Sequence, residues 1–100
     1  MEKVNTAALR RLYETIIGLE TAEECAAFLE DLCTIKEVQD MSQRLAVAEM
    51  LREGKNYVEV SRATGASTAT ICRVNKCLLY GEGGYKNAIE KREAKETAEA

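Results

Sequence analysis

An all-α domain is what this sequence predicts, and three observations predict it. Apolar residues recur at three- and four-residue steps in one segment after another, which is the period of a helix with one buried face. Residues able to cap a helix N-terminus stand at the starts of these segments, and three of them (Thr21, Thr34 and Asn56) have a glutamate three residues later. Proline, which removes a helical hydrogen bond and clashes with the preceding turn, does not occur in the 100 residues.

Taken in order, Leu9, Leu12, Tyr13, Ile16 and Ile17 form the first apolar stripe, closed by Gly18. Thr21 with Glu24 opens a second helix whose apolar face is Cys25, Phe28, Leu29 and Leu32. Thr34 with Glu37 marks a third start. Ser42 is expected to open a longer helix with Leu45, Val47, Ala48 and Leu51 turned inward, ending at Gly54. Two short helices follow on either side of Gly65. The glycine-rich run from Tyr80 to Tyr85 lacks the GxxxxGK[ST] spacing of a phosphate loop and reads as a break. Residues 86–100, rich in Ala, Glu and Lys, read as a terminal helix with frayed ends. The expected organisation is one helical domain over 1–100, with N-terminal dimerisation helices in 1–33, a helix-turn-helix in 57–76 and a C-terminal helix in 86–100.

The segment Tyr57 to Lys76, YVEVSRATGASTATICRVNK, carries the functional signal. A helix-turn-helix needs a residue that reaches positive φ at its turn, and Gly65 supplies it. Val60, five before the glycine, and Ile71 and Val74, six and nine after it, supply with Ala66 the small core the two helices share. Ser61 and Ala63 are small enough for a close crossing. Asn56 with Glu59, and Ser67 or Thr68, are the helix starts. If Val60, Ile71 and Val74 face in, then Ser67, Thr68, Ala69, Cys72, Arg73 and Lys76 face out. Ser67, Thr68, Ala69 and Thr70 form the first turn of a recognition helix over about 67–79, the part that meets base edges in the major groove. Hydroxyls there can bond bases directly or through water, and a methyl can touch thymine. Arg73 and Lys76 suit phosphate. Cys72 is on the same side, where oxidation would alter the face.

Charge distribution agrees. The whole chain carries −3, a weak argument against nucleic acid. Residues 1–40, with four basic and nine acidic side chains, hold −5, whereas residues 41–80, with six basic and three acidic, hold +3. Local potential rather than total charge attracts phosphate.

Other classes find less support. No apolar run approaches the roughly 20 residues of a membrane helix and no signal peptide is evident, so a cytoplasmic protein without a membrane partner is expected. Four cysteines without CxxC spacing, and no histidine, argue against zinc. Cys25 and Cys33 would be separated by about 12 Å of helical rise, beyond disulfide reach; free thiols and no cofactor are expected. No nucleophile–base constellation can be assembled, so an enzyme is not expected. The alternative to DNA binding is a helical protein-interaction module, which the acidic first forty residues would suit.

Leu32-Cys33-Thr34, Arg44, the stretch from Glu49 to Gly54, Thr64-Gly65-Ala66 and Ala69-Thr70-Ile71-Cys72-Arg73 together resemble the Trp repressor superfamily over roughly residues 30–80. GASTATICRVNKCLLYGEGGY is more similar to the Trp-repressor-related YerC/YecD family than to the tryptophan-binding repressor. The resemblance implies an intertwined, all-helical homodimer with a helix-turn-helix behind the entwined N-terminal helices, acting as a repressor-like transcription regulator on double-stranded DNA. It also implies an effector site. Arg44 and Arg73 match the two arginines that sandwich the indole ring in the repressor, allowing for one residue fewer in the loop after Gly54. The resemblance does not fix the effector's identity. Val74 stands where the repressor has glycine beside the ring, and Val58 and Ser61 stand where it has basic residues that help read its operator, so a different operator is implied.

Overall fold

A computed structural model of the chain describes residues 5–99. Among the described residues there are six helices and no strands, as the periodicity predicts: α1 (Thr6–Ile17), α2 (Ala22–Leu32), α3 (Ile35–Arg52), α4 (Tyr57–Thr64), α5 (Thr68–Tyr80) and α6 (Gly84–Glu99). They fall into two compact units, one ending at Val38 and the other beginning at Gln39.

In the first unit, Asn5 caps α1 by accepting from the Ala8 amide at 3.0 Å, and the Gly18 N–H closes the helix on the Thr15 carbonyl at 3.2 Å. The Thr21 hydroxyl accepts from the Glu24 amide at 3.0 Å. The Glu24 carboxylate reaches past Thr21 and accepts from the Glu20 amide at 2.9 Å, so the reciprocal half of the expected box closes one residue earlier. No residue of α1 or α2 is buried. Of the apolar stripes of the sequence, Leu9, Leu12, Cys25, Phe28 and Leu29 are half-buried, while Tyr13, Ile16, Ile17 and Leu32 lie exposed, Ile17 by 80%.

The helix start expected at Thr34 is present, and the longer helix expected to open at Ser42 is its continuation. A reciprocal capping pair, Glu37 N–H to the Thr34 hydroxyl at 3.1 Å and Thr34 N–H to the Glu37 carboxylate at 2.8 Å, opens α3. It then runs unbroken from Ile35 to Arg52. Nothing between Glu37 and Ser42 can end a helix, and a serine inside one is tolerated where neighbours favour the helix. Leu45, expected to turn inward, is exposed. With Val47 buried, the helical period puts Leu45 about 200° away around the axis, on the opposite side.

The second unit is built on Val47 and Ala48 of α3, Val60 of α4, Ala66 of the turn, Ile71 and Val74 of α5 and Ile89 of α6, all buried. Met50, Leu51, Tyr57, Leu78 and Tyr85 pack around them. Each large aliphatic side chain so buried contributes about 1.5–3 kcal/mol. The C-terminal helix begins at Gly84, two residues before the expected start at 86, and stays helical to Glu99. Ile89 anchors it, and two arginines bind it to α3: Arg52 pairs with Glu90 at 3.0 Å and Glu93 at 3.6 Å, and Arg92 pairs with Glu49. The carboxylate of Glu49 raises the Arg92 pKa above its already high ordinary value. The break before α6 needs its glycine at one point in particular. A Cβ on Gly81 would lie 2.5 Å from the Cys77 carbonyl oxygen, so only glycine lets the chain leave α5 there. No helix among the described residues is long and apolar enough to cross a membrane.

Candidate nucleic-acid interface

The turn between α4 and α5 is held by a chain of short-range bonds. Asn56 and Glu59 form the predicted capping box at the head of α4, each side chain bonded to the other's amide, at 2.9 and 3.2 Å. Gly65 ends α4 at φ 75° and ψ 4°, in the left-handed region, and its N–H donates to the Ser61 carbonyl at 2.8 Å. Open space surrounds its missing Cβ, where the nearest atom would be Gln43 Nε2 at 3.9 Å, so the requirement for glycine is torsional and not steric. Ser61 does more than stay small. Its hydroxyl donates to the Ala66 carbonyl at 2.9 Å, while the Thr64 hydroxyl donates to the Val60 carbonyl at 2.7 Å and accepts from the Ala66 amide at 3.1 Å. Gln43 of α3 donates to the Thr64 carbonyl at 3.1 Å and ties the turn to the long helix. Ala63, expected in the helix crossing, is exposed instead.

This frame fixes the pose of α5. Val60, Ala66, Ile71 and Val74 face in, and Ser67, Thr68, Ala69, Cys72, Arg73 and Lys76 face out. The structure thus brings six of the seven expected DNA-facing residues onto one exposed side of one helix. The seventh, Thr70, is half-buried. Its amide donates to the Ser67 hydroxyl at 3.2 Å, and that hydroxyl donates in turn to the Thr70 hydroxyl at 3.2 Å. Ser67 and Thr70 therefore use their hydroxyls on the helix cap, leaving Thr68, Ala69, Cys72, Arg73 and Lys76 as the outward-facing side chains not engaged there. Tyr57 lies half-buried at the head of α4, packed against the core and beside Cys72 and Asn75 of α5. Desolvation chiefly, with the Cys72 contact second, raises its phenol pKa above the ordinary value, against the opposing bond from Asn75.

Two residues join the site that sequence reasoning did not select. Arg62, in the last turn of α4, is exposed and lines with Tyr57, Val58, Ser61 and Thr68 an open hollow between α4 and the head of α5. Its being the basic residue of the first short helix was a legible signal. Gln43 had none, because the bond it makes spans 21 residues of chain.

The effector candidates are placed differently. Arg44 is half-buried on α3, one turn before the core residues Val47 and Ala48, and Arg73 is exposed just before the buried Val74. At 1% exposure, the Val74 side chain fills core space that a glycine would leave open.

The sequence matches the family model of the Trp repressor protein over residues 7–93. The chain belongs to the Trp repressor family. Within that family it is similar to YerC of Bacillus subtilis (strain 168), an uncharacterized protein, at 46% identity over 97 residues, which cover 97% of this chain and 93% of YerC. Two solved structures share the fold, each with a TM-score of 0.85. One is a candidate Trp repressor from Staphylococcus aureus, 43% identical, the match covering 89% of both chains. The other is a TrpR-like protein from Eubacterium eligens ATCC 27750, 45% identical, covering 89% of this chain and 92% of that one. The resemblance read from Leu32 to Tyr85 is therefore that of the family, and fold and family together suggest a DNA-binding regulator.

Proposed function

We propose that this protein is a dimeric, sequence-specific DNA-binding transcription regulator of repressor type, with α5 in the major groove. The observation that carries the reading is the division of α5 into a buried side, Ile71 and Val74, and an exposed side, Thr68, Ala69, Cys72, Arg73 and Lys76. Thr68 and Ala69 meet base edges, and Arg73, Lys76 and Arg62 bind phosphate. The dimer rests on a separate observation. Neither α1 nor α2 buries a single residue, and Tyr13, Ile16, Ile17 and Leu32 leave apolar surface that a second copy would cover. A two-fold dimer sets its two recognition helices into successive major grooves about 34 Å apart.

Selection of bound fragments from a genomic library tests the reading, followed by gel shifts across a salt series. Wild type is expected to enrich a two-fold symmetric site, and its affinity to fall steeply with salt. Arg73→Ala and Lys76→Ala should each reduce the slope of log affinity against log salt by about 1. Recovery of a stoichiometric protein partner, with no DNA enriched, would instead establish the interaction-module reading. The effector site is tested by thermal shift over an amino-acid and metabolite panel. A stabiliser lost in Arg44→Ala supports it, and a flat panel rejects it.

A further inference from the structure

The hollow between α4 and the head of α5 has a composition that the phosphate contacts do not explain. It holds about 440 Å³ and is lined by Tyr57, Val58, Ser61, Arg62 and Thr68. Val58 is the unusual member. It lies in the first turn of α4 and is 65% exposed, a branched apolar side chain sharing the hollow with Thr68 of the α5 head. It is not a core residue, since the core side of α4 is Val60. The Ser61 hydroxyl is turned away into its bond with Ala66. Val58, Tyr57 and the Thr68 methyl are thus the apolar groups its lining offers, and Arg62 is its one charged member.

We propose that this hollow reads the 5-methyl group of a thymine, with Val58 as the specificity-determining contact and Arg62 on the neighbouring phosphate. The proposal rests on the DNA-binding reading above and names what one position of the operator must be. In the major groove thymine presents the one apolar group on any base edge, and it is recognised by apolar side-chain contact. A thymine methyl projects beside the sugar–phosphate strand that carries it, so one socket with a cation in its lining suits both groups. Burying a methyl against Val58 removes apolar surface from water and adds affinity without adding charge. Losing it should cost about fourfold in binding, the scale of one buried methylene.

Once an operator has been selected, fluorescence anisotropy with deoxyuridine replacing each thymine in turn tests the proposal. Deoxyuridine differs only by the missing methyl. For wild type, one thymine per half-site is expected to show a loss of about fourfold on replacement, equal at low and high salt. Val58→Ser should bind the thymine and deoxyuridine operators equally, while Val58→Thr, which keeps a methyl, should retain the discrimination. An unchanged thymine preference in Val58→Ser, or wild-type indifference to deoxyuridine at every position, would overturn the proposal with DNA binding intact. Tighter binding to 5-methylcytosine than to thymine at that position would overturn the assignment to thymine. Failure of wild type to bind any duplex would instead reject the reading on which the proposal rests.

Discussion

The two units of this chain treat their apolar residues in opposite ways. From Gln39 onward, seven apolar residues from four helices and a turn are buried together, and the helix-turn-helix is complete within that unit. In the first unit, α1 and α2 are equally regular and well capped, yet none of their residues is buried. Local signals alone form the first two helices, whereas packing holds the second set. The apolar faces of α1 and α2 are only partly covered, and most helical stability in proteins comes from covering such a face. The unit that carries the helix-turn-helix has a buried core of its own, and the N-terminal pair does not.

The sharpest way to break this comparison is to remove the same kind of side chain from each unit. Ile71→Ala empties a fully buried position and should cost about 3–4 kcal/mol in urea unfolding, with loss of DNA binding. Ile17→Ala should leave the unfolding of dilute protein almost unchanged, because its side chain is already 80% exposed. If the two cost the same at low concentration, the two units do not differ as described.

The next effect concerns what covers α1 and α2. Ile17→Glu places a charge in the proposed dimer contact and should weaken self-association by about thirtyfold, roughly 2 kcal/mol. Sedimentation across a concentration series reads this, with wild type dimeric at micromolar concentration. A monomeric wild type, or an Ile17→Glu dimer as tight as wild type, would remove the second copy from that surface.

Gly65 sets the third effect. Because its φ of 75° is disfavoured for residues with a Cβ while its surroundings are open, Gly65→Ala should cost about 1–2 kcal/mol, and Gly65→Asn less. A larger loss would mean that the turn is constrained by contact and not by torsion.

This pattern of local and packed regions also decides what was legible in the sequence. The inward and outward sides of α5 were readable because Ile71 and Val74 are fixed by helical period and by distance from Gly65. The caps at Asn56 and Ser67 were readable because they are local chemistry. Other features were less plain. Leu45 was assigned inward with Val47 because both are apolar, although two residues along a helix point to nearly opposite sides. The opening of α3 at Thr34 was readable from its capping box, but Ser42 also looks like a cap, and only the unbroken helix formers around it show that no second helix starts there. The hydroxyl bonds of Ser61 and Thr64, and the reach of Gln43 across 21 residues, depend on how the helices meet. Arg62 was legible as the basic residue of the first short helix, which in a helix-turn-helix crosses the DNA backbone.

The smallest expected effect lies at the far end of the packed unit, where α6 is held to α3 by ions as well as by Ile89. Arg52 meets both Glu90 and Glu93, but its side chain is 27% exposed and its partners more so, so solvent and salt screen the attraction. Arg52→Ala should therefore cost about 0.5–1 kcal/mol at low salt, and less as salt rises. Ile89→Ala, which empties a buried position on the same helix, should cost about 2–4 kcal/mol at any salt concentration. Circular dichroism during urea titration at low and high salt separates the two contributions. If Arg52→Ala proved as costly as Ile89→Ala, α6 would be held chiefly by its charges, and the stability of the packed unit would depend on ionic strength.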